Sequence, residues 1–554
     1  MTTRSETRRG PAAALLGFAQ DRRGVGVLML VLFLPVLFGF LTLGADVAGA
    51  YTFRNQMQTA ADATVLAVAK RSALDDTLDG DALRAYGAAY LAVQMGNASY
   101  TVERFSVDTA NVVVGLDLTG SVPASFARLF GKERIAFAVA SEARYPRLYL
   151  EVALALDNTP SIDATELAGI KSAAKGLIDE TAAGLNDRGS DFLRVALVPF
   201  AGGVRHDPAN WNDGWLDWDG ASSTHFNHVG TVTYSTSGGT ATWRPTRRQL
   251  FAQITNESWA GCVENRPYPL DVNDVSPSNA QSDSLYVPYF AFDEYDVSGS
   301  QMFNDYLDDR GGVCTGGRPS NAIDSIDHTC KYGSPSIKVA SDRSSIYTVS
   351  GGVVLQPKRG PNLYCTSLPL VPLTADLATV KSRVDAMYTG NWAGTDLMSG
   401  FVWAWRALSP GPPYIEGRAY GRDDVRKIVV FMSDGDNNGL PGILPHTYGV
   451  GASYGMWGYA GDKRLSTSLN DTSSQTAINQ VMDVRTREAC TNMKAAGVTV
   501  YTVNFGGGSD GRAVLQDCAS SAKHFFDASS IEELKSAFET IGRELSSLRL
   551  RLTQ

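Results

Sequence analysis

The chain has 554 residues, 44% of them hydrophobic, which is enough for about three or four domains with their own cores. Its net charge is −9, with 49 Lys and Arg against 58 Asp and Glu. That balance argues against general nucleic-acid binding, and the sequence has neither a basic patch with interleaved aromatics nor a Walker-type phosphate loop. Residues 1–23 carry Arg4, Arg8, Arg9, Arg22 and Arg23 against only Glu6 and Asp21. Gly24 to Ala45 then runs without a charge. At helical rise that stretch is about 33 Å long, enough to cross a bilayer. The flanking arginines predict a cytoplasmic N-terminus with the rest of the chain outside. A cleaved secretory signal is the rival reading. The apolar run is long for a signal, and Asp46 follows without a small-x-small cleavage context. Pro35 lies inside the span, where membrane helices tolerate it.

The helical pattern continues past Asp46. Val47, Tyr51, Met57, Ala61, Val65 and Val68 recur near helical spacing, and no Gly or Pro falls between Ala50 and Arg71. One helix is expected from the span to about Leu74. The membrane helix running into an Ala-rich stem is similar to type IV pilin-like proteins. More closely, Arg22-Arg23-Gly24, Leu34-Pro35, Asp46-Val47, Tyr51 and Gln56-Met57-Gln58-Thr59-Ala60-Ala61-Asp62-Ala63 resemble the N-terminal segment of TadG-like proteins. These belong to the tight-adherence (Tad) system that assembles Flp pili. Met29 stands where pilins cut by prepilin peptidase usually carry Glu, so the resemblance does not imply that cut. An ordinary signal-anchor helix without a pilus role remains the alternative for this stem. Residues 46–145 are expected to hold the stem and a small α/β unit. In that unit a helix is predicted over 81–94, strands over 99–107, 112–118 and 135–143, and a short helix over 123–130.

A second domain is expected over 146–554. Tyr149 to Leu156 is an apolar run of the kind found in a buried parallel strand, and it ends in Asp157, Thr159 and Ser161. A helix is expected to follow, over 167–185, so the three oxygen donors sit at a strand's carboxyl end, where open α/β sheets bind ligands. Gly394-Thr395-Asp396 precedes a helix-like run, Leu397 to Leu408. Arg426 to Ser433 is another apolar strand, leading into Asp434-Gly435-Asp436. D-x-T-x-S, a distant G-T-D and a strand ending in S-D-G resemble the von Willebrand factor A (vWA) domain with its metal-ion-dependent adhesion site (MIDAS). The resemblance implies that Asp157, Thr159, Ser161, Thr395 and Asp434 hold Mg2+, or Mn2+ or Ca2+, and that a protein partner's acidic residue completes the coordination. Thr159 replaces the usual Ser and keeps the hydroxyl, while Pro160 is unusual between the two hydroxyls. Without a metal, Asp157 and Ser161 would simply be caps at a helix start.

Strands over 193–200 and 498–505 and near 523–526 alternate with helices over 375–388, 475–496, 512–519 and 531–550. This predicts a doubly wound, mostly parallel Rossmann-like α/β sheet. The pattern breaks over 202–371, which is rich in Gly, Asn, Asp, Ser and aromatics, including Trp211, Trp215, Trp218, Tyr286, Tyr289, Phe290, Phe292 and Tyr295. So long a structureless loop is improbable inside a compact domain, so an inserted loop-rich subdomain is expected. Its aromatics form either a binding surface above the metal or a core of their own. A second, shorter insertion is expected over 439–473.

All six cysteines follow the apolar span, and their even number in an exported region points to disulfides. Six cysteines allow fifteen connectivities. The expected pairing is Cys490 with Cys518, across the strand between their helices, with Cys314–Cys330 local and Cys262–Cys365 clasping the insertion. His225 and His228 form an H-x-x-H without the Glu of a zinc protease helix, and zinc is not expected there.

Together these features predict a single-pass protein of the bacterial inner membrane with a periplasmic body. By the resemblance its role is in assembling, anchoring or adhering through Flp pili, with a pilin or another Tad component as partner and no enzymatic activity. The alternative is a metal-dependent cell-envelope hydrolase, which would need a general base or nucleophile near the metal.

Overall fold

A computed structural model describes most of residues 25–551; the longer stretches outside the described residues are 186–190, 294–303, 307–331, 333–348 and 439–453. The chain divides into two compact units, Met1–Arg147 and Leu148–Gln554.

In the first unit, α1 (Val25–Leu74) is one continuous helix that includes Pro35. It is long and apolar enough to cross a membrane. Side chains from Met29 to Leu43 are largely exposed apolar groups, and Val47 and Tyr51 remain exposed. Apolar burial begins with Met57 and follows the helical repeat through Ala61, Val65 and Val68. These residues pack on α2 (Gly80–Met95) and on one face of a three-stranded antiparallel sheet, β1 (Tyr100–Asp108), β2 (Val113–Pro123) and β3 (Arg134–Arg144). The Asp79 side chain accepts the Ala82 amide and caps the start of α2. Leu83, Gly87, Leu91 and Met95, four residues apart, give α2 its buried stripe. The helix expected over 123–130 falls partly outside the described residues, and Pro123 itself ends β2.

The second unit is an α/β domain, doubly wound and mostly parallel. Its strands are β4 (Tyr149–Asp157), β5 (Leu193–Phe200), β6 (Val371–Thr374), β7 (Val425–Ser433), β8 (Thr499–Phe505) and β9 (Phe525–Ala528). They lie in the order β6-β5-β4-β7-β8-β9, and only β6 runs antiparallel to its neighbour. The helices are α3 (Ala164–Leu185), α4 (Leu377–Asp385), α5 (Leu397–Leu408), α6 (Gln475–Ala495), α7 (Ser509–Cys518) and α8 (Ile531–Arg551).

Alternation along the central strands assigns their two faces. Leu150, Val152, Leu154 and Leu156 of β4 join a core with α3, α4 and α8, as do Ile428, Val430 and Met432 of β7. Ala153, Ala155, Val429 and Phe431 point the other way, into a core with α5, α6 and α7. The small alanines leave room for α5 to come close, and Phe401 stacks on Phe431 with ring centroids 3.7 Å apart. A Cβ on Gly400 would lie 2.8 Å from Phe431 and 2.9 Å from Phe200. Gly400→Ala is therefore expected to cost about 1–3 kcal/mol by overpacking. Denaturant unfolding checks this, and an unchanged midpoint would show that α5 has slack here.

Two charges are buried at the opposite end of these strands from Asp157. The register pairs Glu151 with Lys427. Lys427 Nζ donates to Glu151 Oε2 at 2.6 Å and to the Leu408 carbonyl at 2.6 Å, tying down the end of α5. Arg418 Nη1 reaches Glu151 Oε1 at 3.0 Å.

Described residues of the insertion belong to two clusters, one shared with the sheet domain and one with the second insertion. The insertion ends at residue 370, because Val371 belongs to β6. Trp211, Leu216, Val263 and Tyr286 share one core with α5, and Tyr289, Phe290, Phe292 and Leu363 form a second cluster with Tyr454, Met456 and Tyr459. Cys262 is bonded to Cys365, and Cys490 to Cys518, which joins α6 to α7. Cys314 and Cys330 lie outside the described residues, as do Tyr295 and His228.

Candidate metal centre

The chain runs from β4 to β5 and β6 on one side, then returns to place β7, β8 and β9 on the other. The order therefore reverses between β4 and β7, and a crevice opens at their carboxyl ends. Asp157 is the last residue of β4, and Asp434 directly follows β7.

Local hydrogen bonds turn the loop after β4 into a cup. The Thr159 amide donates to Asp157 Oδ1 at 2.9 Å. This turn brings the Thr159 and Ser161 hydroxyls to 2.9 Å from each other. Both face Asp434 Oδ1, Ser161 at 3.1 Å and Thr159 at 3.4 Å. Asp157 and Thr159 are buried, Asp434 is half-buried and Ser161 is exposed, so the cup opens on the Ser161 side.

Thr395 arrives from the segment before α5. Its amide donates to the Asn438 carbonyl at 2.8 Å, and the Asn438 amide returns a bond to the Thr395 carbonyl at 2.7 Å. The Asp396 amide donates to the Ala201 carbonyl at 2.8 Å. A Cβ on Gly435 would lie 3.7 Å from the Thr395 hydroxyl, so that hydroxyl faces the turn after Asp434. The structure thus gathers Asp157, Thr159, Ser161 and Asp434 in one bonded cluster and sets Thr395 against the adjoining turn.

Two supporting residues went unassigned in the sequence. Ser433 donates its hydroxyl to Asp157 Oδ2 at 2.6 Å. Asn437 accepts the Leu397 amide at 3.0 Å and donates to Asp483 at 2.8 Å, tying the Asp434 loop to α5 and α6. Only the position of Ser433, just before Asp434 at a strand end, could have signalled its part.

Burial pushes the Asp157 carboxyl up to about 7, and the neighbouring Asp434 adds to the shift. Burial also raises Asp434, against the hydrogen bonds from Ser161 and Thr159. Among the described residues, no Lys, Arg or His forms an ion pair with either carboxylate, and no three His, Cys, Asp or Glu groups stand together as a metal set. The cluster instead offers two carboxylates and hydroxyl oxygens, a hard-oxygen donor set that fits Mg2+ or a similar divalent ion. Such an ion would supply the missing counter-charge.

The other nearby acids are committed elsewhere. Asp396 is fully buried and caps α5, accepting the Ser399 amide at 3.0 Å and its hydroxyl at 2.5 Å. Burial raises it to about 6 against those bonds. Asp436 Oδ1 accepts the Gly511 amide in the first turn of α7. His225 is a structural residue: Nδ1 lies 2.9 Å from Asp217, and Nε2 accepts the Arg247 amide at 3.1 Å.

Fold and crevice define the class, a doubly wound, mostly parallel α/β domain in a chain that also carries a long apolar helix. Residues 24–71 match the family described as "Putative Flp pilus-assembly TadE/G-like". No curated protein matches the chain. Among solved structures, the pilus adhesin SpaC from Lactobacillus rhamnosus GG aligns at 8% identity with a TM-score of 0.29, covering 81% of this chain and 34% of its own. The pilus adhesin RrgA from Streptococcus pneumoniae aligns at 10% identity with a TM-score of 0.25, covering 80% of this chain and 49% of its own. The vWF domain of the type V pili tip protein Mfa5 from Porphyromonas gingivalis aligns at 10% identity with a TM-score of 0.19, covering 72% of this chain and 95% of its own. The chain spans only 34% of SpaC and 46% of the mussel byssus protein PTMP1.

Proposed function

We propose that this protein is a membrane-anchored, extracytoplasmic vWA protein of the Tad/Flp pilus system. It acts in pilus assembly, anchoring or adhesion through a divalent metal that accepts a partner's carboxylate. The observation that carries this reading is the buried Asp157 beside the half-buried Asp434, on which the Thr159 and Ser161 hydroxyls converge, with no cationic side chain among the described residues paired to either carboxylate. Burying carboxylates without a counter-charge is costly, and a divalent ion offsets that cost. The TadE/G-like match over residues 24–71 supports the pilus system, and the long apolar helix with the disulfides supports an anchored, exported body. Asp157, Thr159, Ser161, Thr395 and Asp434 would hold the ion, which supplies Lewis acidity towards an incoming acid. A pilin or another Tad component is the proposed partner, and the bacterial inner membrane with a periplasmic body is the proposed location. The hydrolase alternative has less support, because Asp396 and Asp436 already cap helices.

The test is made in the producing cell. A reporter active only outside the cytoplasm, fused after Gln554, is expected to be active, and the protein to sediment with membranes. Asp434→Ala on the chromosome is expected to abolish pilus-dependent attachment with the protein level kept. Normal attachment in that strain, or a soluble mature protein beginning after Ala45, would overturn the corresponding half of the reading.

A further inference from the structure

The arm that carries Thr395 is braced from behind by the insertion, and the brace converges on one disulfide. Cys365 is bonded to Cys262. Two routes lead from that bond to Thr395.

The first runs through Tyr364, the neighbour of Cys365. Tyr364 is buried and has φ of 68°, a left-handed conformation uncommon for a tyrosine. A Cβ on Gly202 would lie 3.8 Å from Tyr364 Cβ and 3.4 Å from the Gly394 amide nitrogen. Gly202 therefore lies within van der Waals reach of both Tyr364 and the residue just before Thr395. The second route runs along the segment after Cys262. The Glu264 amide donates to the Val287 carbonyl at 2.9 Å, and the Asn265 amide to the Met456 carbonyl at 2.7 Å, so this segment is held on both sides. Cys262 itself pairs in an antiparallel bridge with Arg205, three residues past Gly202. Asp396 directly follows Thr395, and its amide is anchored on Ala201, beside Gly202.

We propose that the Cys262–Cys365 disulfide is a positioning element of the metal centre. It holds the insertion against Gly202 and Gly394 and so keeps the Thr395 hydroxyl turned to the Asp434 loop. An uncommon backbone conformation such as that of Tyr364 persists only where its surroundings hold it, and the adjacent cross-link is the nearest covalent restraint. This inference rests on the metal reading above. It gives the insertion a part in cation affinity that an ordinary stabilising cross-link would not have. The Cys490–Cys518 bond, which joins α6 to α7, is the comparison.

The test is Mg2+ titration calorimetry on the full-length protein in detergent, with thermal melts alongside. Cys262→Ala with Cys365→Ala is expected to weaken Mg2+ binding about 10–100-fold, the range typical for residues that orient metal ligands. Cys490→Ala with Cys518→Ala is expected to lower the melting temperature and leave Mg2+ affinity within about twofold of the unaltered protein, as for a cross-link that acts on stability alone. Gly202→Leu keeps both bonds and sets bulk between Tyr364 and Gly394, and is expected to weaken Mg2+ binding about tenfold. It decides the matter if the Cys262/Cys365 variant does not fold. Unchanged affinity in the Cys262/Cys365 variant, or an equal loss in the Cys490/Cys518 variant, would overturn the proposal. Absence of Mg2+ binding by the unaltered chain would instead sink the metal reading itself, and this inference with it.

Discussion

Asp157→Ala is expected to abolish Mg2+ binding while leaving the fold in place. β4 is hydrogen-bonded to β5 and β7 along its length, so its position does not depend on the Asp157 side chain. The carboxylate is fully buried beside Asp434, and removing it relieves both desolvation and like-charge repulsion. The Ser433 hydroxyl and the Thr159 amide lose their acceptor, which offsets part of that relief. The net change in stability without metal is therefore expected to be small, and the change in cation affinity large. Asp434→Ala is expected to behave alike, because it removes the acceptor towards which Thr159 and Ser161 converge. Calorimetry on both variants, with thermal melts to confirm folding, measures this. If both bind Mg2+ as the unaltered protein does, the metal centre lies elsewhere.

The cluster of Asp157, Thr159, Ser161 and Asp434 was legible because its parts sit where sequence patterns end. The apolar run into Asp157 and the run into Ser433 mark buried strands, and hydroxyl or acidic residues just past them must lie at the strand ends. α6, β8, α7 and α8 likewise fall close to their predicted positions, because each combines a clear period with a flanking stop. β6 was missed because four residues, Val371–Thr374, carry too little alternation to register as a strand. The Glu151–Lys427 pair was also hidden. Each residue is a lone charge in an apolar strand, and only the parallel register of β4 and β7 brings them together. The insertion was the least legible part. Its aromatics left a binding surface and a core equally open, and did not show that Trp211 and Tyr286 share a core with Trp403 of α5. Such contacts link residues more than a hundred positions apart, and no local period encodes them.

Glu264→Gln is expected to give the largest loss of stability among single changes in the insertion. Glu264 is fully buried and faces two guanidinium groups, Arg247 Nη2 at 2.9 Å and Arg464 Nη1 at 2.6 Å. It also accepts the Tyr454 hydroxyl at 2.6 Å. Arg247 is buried too, with Nε and Nη1 finding no hydrogen-bond partner among the described residues and its charge 5.1 Å from the Phe292 ring centroid. This knot ties the helix at Arg247–Gln253 to the segment around Arg464, and so joins the two insertions. Glutamine keeps the shape but removes the only carboxylate among these contacts, leaving two buried cations uncompensated. Breaking a buried ion pair from one side costs about 3–5 kcal/mol. The same group predicts a pH dependence. Burial pushes Glu264 up, but Arg247, Arg464 and the hydrogen bonds outweigh it, and its carboxyl titrates below the ordinary 4.5. A lowered folded-state pKa contributes stability that is fully present above the unfolded value and is lost as pH falls through the folded one. The gap between the unaltered protein and Glu264→Gln is therefore expected to be widest near neutral pH and to close as the pH falls below about 4.5, the ordinary glutamate value. Urea unfolding of both proteins across pH 3 to 7 measures the gap. A gap that stays the same down to pH 3, or is absent at pH 7, would show that Glu264 carries no net stabilising charge.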